Sequence, residues 1–332
     1  MTTSVLTTDI ARPKSVTVSV NALKKIVMHV VNGTIVLFIA ATLVFIAQIG
    51  LPGDRATIIL NINSGQAVER TAEELAPINE LFGFNDPLIS QYAHYVGGLF
   101  RGELGLSYQY YSPVTEVIAG QLLPTLQLTF GALVISWIIM LVTTPLFAGR
   151  RKGIRNVTSA AESFSASLPI YWVAVLLLVV FAVNLRWFPV MGGTDLRASI
   201  LPMIALAIPL AGFLAQTTRD EFERTLGQPF VTAIRMRGAS DLSLRIKNVL
   251  RHALIAPITL SGWAIGSLFS GAVLVESVFS RPGIGQLLIN AVNTRDIPVV
   301  AGVVMLVALI YVLANIAVDA LYLLVDPRRR AA

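Results

Sequence analysis

The stretch VVAGVVMLVALIYVLANIAV, residues 299–318, runs for 20 positions without a charged side chain. A helix at a water-facing surface alternates an apolar stripe with a polar face, whereas a run that is apolar all round belongs in a hydrocarbon solvent. About 20 residues rising 1.5 Å each cross the roughly 30 Å core of a bilayer. Extended by that rule along the chain, the reading gives six spans, expected at 29–50, 122–148, 161–184, 199–217, 257–278 and 299–324. Composition agrees with it. Of the 332 residues 55% are hydrophobic and 13% charged, with a mean hydropathy of +0.72, against about 25% charged in soluble domains. An ordinary soluble enzyme is excluded. Cysteine is absent, which rules out a disulfide framework, a thiolate zinc site and a cysteine nucleophile. The first stretch, His29–Gly50, follows a polar tail and has no small-residue cleavage site, so it is expected to stay as an anchor and not to be removed as a signal peptide.

The net charge of +6 and the pI near 9.8 suit either a nucleic-acid binder or a membrane protein whose basic residues crowd the cytoplasmic loops. Their positions decide. The N-terminal tail, the second-to-third connection, the fourth-to-fifth connection and the C-terminal tail together hold 18 of the 25 Lys and Arg residues, and the alternate loops hold 7. Both termini are therefore expected in the cytoplasm, nucleic acid is not an expected partner, and membrane lipid is. The chain divides into a cytoplasmic tail (1–28), the first span (29–50), an extracytoplasmic insertion (51–121), a five-span core (122–325) with a cytoplasmic loop (218–256), and a short cytoplasmic tail (326–332). Helices are expected in the insertion from Ala72 to Leu81 and from Pro87 to Phe100. The Gly- and Pro-rich segments near 185–198 and 279–298 favour turns over further spans.

A machine that moves solute needs an energy source, and no G-x-x-x-x-G-K-[ST] phosphate cradle occurs in the chain. His29, His94 and His252 are too dispersed for a zinc spacing, and G-x-S-x-G does not occur, so intramembrane hydrolysis finds no motif to stand on. No catalytic residue, metal ligand or cofactor site is assigned to the chain. Ionisable side chains within or beside the spans each cost about 2.5–3.5 kcal/mol at a bilayer centre and need a partner or a shallow position. Glu162, Glu276 and Asp319 are the candidates, and Asn315, Asp319 and Tyr322 share one helix face by their i, i+4, i+7 spacing. They are expected to serve interhelical bonding or gating.

The loop 218–256 carries helical patterning across nearly its whole length. A break around Gly227–Pro229 leaves a short helix from Phe230 to Arg237, Gly238 can end it in the left-handed conformation, and Ser240 or Asp241 can cap a second helix running toward His252. Phe230, Ala233 and Ile234 make a small apolar face with Arg235 and Arg237 beside it. Such a projection suits docking of a separate ATPase, since an apolar helix seated in a cleft transmits rigid-body movement. An amphipathic helix lying on anionic lipid has the same pattern.

The segment from Phe230 to Ser240, continuing through Arg251-His-Ala-Leu-Ile-Ala-Pro257, resembles the coupling loop of ABC-importer permeases, closest in the dipeptide, oligopeptide and nickel branch. Phe82-Gly-Phe-Asn-Asp-Pro87, Gly97-Gly-Leu-Phe-Arg-Gly-Glu-Leu-Gly105, Ser167-Leu-Pro-Ile-Tyr-Trp172 and Trp187-Phe-Pro-Val190 resemble the same branch. So do Ser270 to Gly285, Arg295-Asp-Ile-Pro298 and the closing Asn315-x-x-x-Asp319-x-x-Tyr322-x-x-x-Asp326-Pro-Arg328. The resemblance implies an all-α type I importer permease with six transmembrane helices in a bacterial inner membrane. It implies a second homologous permease, two cytoplasmic ABC ATPase subunits that carry the ATP and Mg, and an extracytoplasmic solute-binding protein. On the same basis Phe230, Ala233, Ile234, Arg235, Arg237 and Gly238 are the ATPase-coupling positions, and the turn with Arg281, Pro282, Gly283 and Gly285 faces the binding protein. Di- or oligopeptides are the implied cargo, with nickel chelates or glutathione-like compounds as alternatives. An ion-gradient-driven carrier and a transport-inactive scaffold are the competing classes.

Overall fold

The computed structural model describes residues 20–50, 53–66 and 68–325. The tails before Val20 and after Val325, and the side chains of Asp319 and Tyr322, lie outside the described residues. Among the described residues the secondary structure is helical, apart from an isolated antiparallel bridge between Leu106 and Pro113.

Helix α1 (Val20–Gly50) starts nine residues before the expected span. It lies at the periphery: 17% of its apolar window is buried, and it packs along the last helix, where a Cβ on Gly33 would stand 2.6 Å from Val312. The outer insertion then folds as α2 (Arg55–Ser64), α3 (Ala72–Phe82) and α4 (Leu88–Arg101). Local chemistry fixes their ends. Asp54 caps α2, Thr71 and Glu74 form a reciprocal capping box on α3, and Gly83 (φ 63°) closes α3 in the left-handed region. Ile59, Tyr108 and Ile297, with Phe82 and Phe84 against them, make a small apolar core that seats this insertion on the helical bundle.

Helix α5 (Val114–Phe147) has 34 residues, a length of about 51 Å at 1.5 Å per residue. Residues 114–121, expected in the insertion, form its first two turns. The expected third span is broken within its length: α6 (Lys152–Ser167) and α7 (Ile170–Leu177, continuing as a wide π-helical turn over Leu178–Asn184) meet at a 96° bend. Pro169 is the cause, because it donates no backbone bond and holds Leu168 in an extended conformation (φ −69°, ψ 127°). The described chain thus holds five helices long and apolar enough to cross a membrane, or six if the bent pair counts as one span.

Helix α8 (Leu196–Leu226) is the central element, with 67% of its apolar window buried. It packs against α5, α6 and α7. At Gly212 an added Cβ would stand 2.6 Å from the Ala166 nitrogen and the Glu162 carbonyl, so only glycine lets α6 come this close. The chain continues as α9 (Pro229–Met236), α10 (Asp241–Ser243), a π-helical stretch (Leu244–Val249), α11 (Leu250–Ala253) and α12 (Ile255–Val278). Where turns were expected near 279–298 a ten-residue helix, α13 (Ile284–Asn293), intervenes before α14 (Ile297–Val325). The main core joins Leu128, Ala132 and Met140 of α5, Val173 of α7, Leu206 and Leu214 of α8, and Ala264 and Leu268 of α12. The bundle therefore has two unlike ends. The insertion, the 185–195 segment and α13 gather at one, and residues 148–151 with the segment 227–254 gather at the other.

Candidate functional site

The segment 227–254 forms a helical hairpin with its own small core of Val231, Leu244, Val249, Leu250 and Ala253, closed by Phe222 of α8 and Ala148 beyond α5. Pro at the start of α9 leaves no donor to satisfy, and Gly238 (φ 84°) reverses the chain with open space around its Cα. Ser240 then caps α10 through the Ser243 nitrogen. This places the sequence-derived coupling positions. Phe230, Ala233, Arg235, Arg237 and Gly238 are exposed, whereas Ile234 turns partly inward with Val231 to pack on the hairpin core. The apolar face expected as Phe230, Ala233 and Ile234 is accordingly corrected: the outward residues of α9 are Phe230, Ala233 and Met236, the last 85% exposed, and Leu242 and Ile246 of the second arm are exposed as well. The Phe230 ring rests on His252 at a centroid distance of 5.3 Å.

One buried residue ties this hairpin to the bundle, and sequence reasoning did not single it out. Arg245 is 3% exposed; its Nη1 donates to the carbonyls of Pro145 (3.0 Å) and Ala148 (2.7 Å), and its Nε donates to Asp241 (3.1 Å). Those carbonyls end α5, where helical partners run out. Arg150 supplies the neighbouring one, donating from Nε to the Leu146 carbonyl at 3.0 Å while its Nη1 reaches Asp241 at 2.9 Å. Arg235 stands 4.0 Å from the same carboxylate. Burial and then the charge of Arg150 push the Arg245 guanidinium down from its ordinary range, with Asp241 opposing.

Glu162 lies in α6 and pairs with Arg219 of α8 at 2.7 Å, both side chains about nine-tenths buried. A cavity of 280 Å³ opens beside it, between α5, α6 and α8, with Thr143, Phe147 and Ser165 in its wall. Asn315 donates to the Tyr311 carbonyl of its own helix at 2.8 Å, not to a neighbouring helix as expected, and its Oδ1 lies against Gly262 of α12. Asp319 and Tyr322 fall where side chains are not described.

At the opposite end Glu276, fully buried near the close of α12, lays its carboxylate against the start of α13. Its Oε1 accepts from the Thr125 hydroxyl (2.6 Å) and its Oε2 from the backbone nitrogens of Gly285 (2.8 Å) and Gln286 (3.3 Å). The carboxylate thus satisfies orphan donors at a helix N-terminus, where negative charge is favoured. Gly283 and Gly285 leave room for it: a Cβ on either would collide with the carboxylate, and one on Gly285 also with Val273 backbone. Arg281 is fully buried, donating from Nη1 to the Gly193 carbonyl (2.8 Å) and Ser199 Oγ (2.7 Å), and from Nη2 to the Pro124 carbonyl (3.3 Å). The turn at Arg281–Gly285 is therefore a buried knot between α5, α8, α12 and α13. Next to it, Asp296 accepts from Ser107 Oγ (2.5 Å) and from the nitrogens of Tyr108 and Gln109 (both 3.1 Å), pinning the insertion to the corner between α13 and α14. Burial pushes the Tyr108 hydroxyl up to about 12. Among the described residues no three His, Asp or Glu side chains converge as a metal site would require.

Comparison with known proteins covers nearly the whole chain. Residues 22–129 match the N-terminal part of binding-protein-dependent transport system membrane components, and residues 142–331 match the inner membrane component of binding-protein-dependent transport systems. The glutathione transport system permease protein GsiC of Escherichia coli K12 is 32% identical over 299 residues, which is 89% of this chain and 94% of that protein. GsiC of Salmonella typhi is 33% identical over 297 residues, with the same shares, and GsiC of Salmonella typhimurium LT2 is 32% identical over 299.

Proposed function

Since the chain belongs to the family of inner membrane components of binding-protein-dependent transport systems, we propose that its hairpin 227–254 is the element through which partner ATPases open and close the bundle. The family makes the chain an integral inner-membrane permease subunit of a type I ABC importer of the dipeptide, oligopeptide and nickel class. It is a transport subunit and not an enzyme, and it works in a membrane complex with ATPase and binding-protein subunits. The finer reading is a pair of homologous permeases, two ATPases carrying ATP and Mg, the hairpin in the cytoplasm, and the Arg281–Gly285 end turned to the binding protein. The relatives' named cargo supports glutathione or a similarly short peptide as the solute.

The observation that carries the reading is the hairpin's two-sidedness. Val231, Leu244 and Val249 anchor its inner side in the bundle, while Phe230, Ala233 and Met236 remain uncovered on its outer side. A partner that covers them can push on the whole unit. Gly238 tests this. A β-branched residue resists φ 84°, at a cost on the order of 1–3 kcal/mol, although no neighbouring atom lies within 4 Å of the added Cβ. Gly238→Val is expected to insert normally, while vesicles holding the complete assembly lose most ATP-dependent glutathione uptake. Wild-type uptake in that variant would remove the hairpin from the coupling path.

A further inference from the structure

The hairpin is joined through the chain to α8 on one side and to α12 on the other, whereas α5 ends at Phe147 and is met by hairpin side chains, Arg245 donating to the Ala148 carbonyl just beyond it. Docking on the outer strip explains how α8 and α12 would be driven. It does not by itself move α5, the longest helix among the described residues.

We propose that Arg245 is a positioning residue of the transport cycle, a clamp that makes α5 move with the hairpin. The inference rests on the importer reading above. The Nη1 of one guanidinium donates to two carbonyls three residues apart at the end of α5, that of Pro145 and that of Ala148 just beyond the helix, while its Nε, donating to Asp241, fixes its plane from the hairpin side. A planar fork holds such an arrangement in one orientation, which a rotating ammonium does not. The side chain is 3% exposed and the Phe222 ring centroid lies 5.7 Å from its guanidinium carbon, so water does not substitute for these bonds. Ala148 itself belongs to the hairpin core, which adds apolar contact to the same junction. Helix α5 is also tied three turns in from its first residue: the Pro124 carbonyl accepts from Arg281, and Thr125 joins Glu276 to the Ile284 nitrogen. A displacement delivered to α5 by Arg245 therefore arrives at the knot on the opposite end. In this scheme α5 is the strut between two buried arginines.

The chain has no native cysteine, so spin labels at Leu146→Cys and Lys247→Cys report the α5-to-hairpin distance directly. The complete assembly in lipid nanodiscs, with and without ATP and vanadate, is expected to keep one narrow distance distribution. In Arg245→Gln the distribution is expected to broaden or shift when nucleotide is added. In vesicles the same variant is expected to move roughly tenfold less glutathione per ATP hydrolysed, equivalent to about 1.4 kcal/mol of lost coupling. Arg245→Lys is expected to fall between, and carries the test if the Gln variant does not accumulate. A purely structural role would lower the amount of assembly and leave both the coupling ratio and the distances of the surviving fraction unchanged, which would overturn the proposal. Failure of the importer reading is distinguishable, because wild-type assemblies would then show no ATP-dependent uptake at all.

Discussion

Glu162 and Arg219 face each other between α6 and α8 at 2.7 Å, each with about a tenth of its side chain exposed. Two charges taken out of water gain little from each other in net terms, but removing one leaves the other uncompensated, at a cost of about 3–5 kcal/mol. Arg219→Ala is expected to lower thermal stability of the purified permease by that amount, and Glu162→Leu combined with Arg219→Leu to recover most of it. A single variant within 1 kcal/mol of wild type, on the scale of an exposed ion pair, would show that the pair is solvated in the membrane-embedded protein. Glu162 was visible in the sequence as an acid at the start of the expected third span, 161–184. Its partner was not, because 57 positions separate the two and Arg219 reads as one more basic residue on the cytoplasmic side. Arg245 was hidden for a different reason. Its acceptors outside the hairpin are backbone carbonyls, which carry no residue identity for a sequence to reveal, and only Asp241, four residues back, is a side chain.

Among the elements, α3 and α4 followed their end signals to within one residue or so, since Thr71, Glu74, Pro87 and the glycines at 83 and 102 state the caps locally. The bend between α6 and α7 was obscured because both helices are compatible with one hydrophobic stretch, and Pro169 alone does not say whether a span kinks or turns through 96°. Helix α13 was missed because its boundaries are unconventional. The preceding helix, which ends at Val278, is followed by Ser280 (φ 48°) and α13 by Arg295 (φ 56°), left-handed positions without the glycine that normally signals them, and the N-terminal donors of α13 are met by Glu276 from another helix. The glycines at 283 and 285 looked like a loop and are in fact clearance for that carboxylate. Gly285→Ala is expected to force α13 away from Val273 and Glu276, destabilising the protein by about 1–3 kcal/mol as overpacking does. Thermal denaturation checks it, and an unchanged Tm would mean that the start of α13 is free to shift.

For the molecule as a whole, the pattern of apolar runs gave the helical membrane architecture, and family resemblance along nearly the full length gave the class of machine. What the pattern could not supply is the division of labour between the ends. One end locks α5, α8, α12 and α13 through Arg281 and Glu276, and also seats the insertion through Asp296. The other presents a hairpin that is rigid inside and uncovered outside. A bundle gripped this way at one end and knotted at the other suits alternating access, since force applied to the hairpin has short, buried routes into α5, α8 and α12.

Met236, 85% exposed at the tip of α9, gives the most direct test of hairpin docking. With Met236→Cys as the only thiol, the account predicts modification by a membrane-impermeant maleimide in inside-out vesicles but not in intact cells. It also predicts protection from that reagent, and a cross-link to the ATPase subunit, once the complex assembles. Modification from outside intact cells, or full reactivity in the assembled complex with no cross-link, would contradict it.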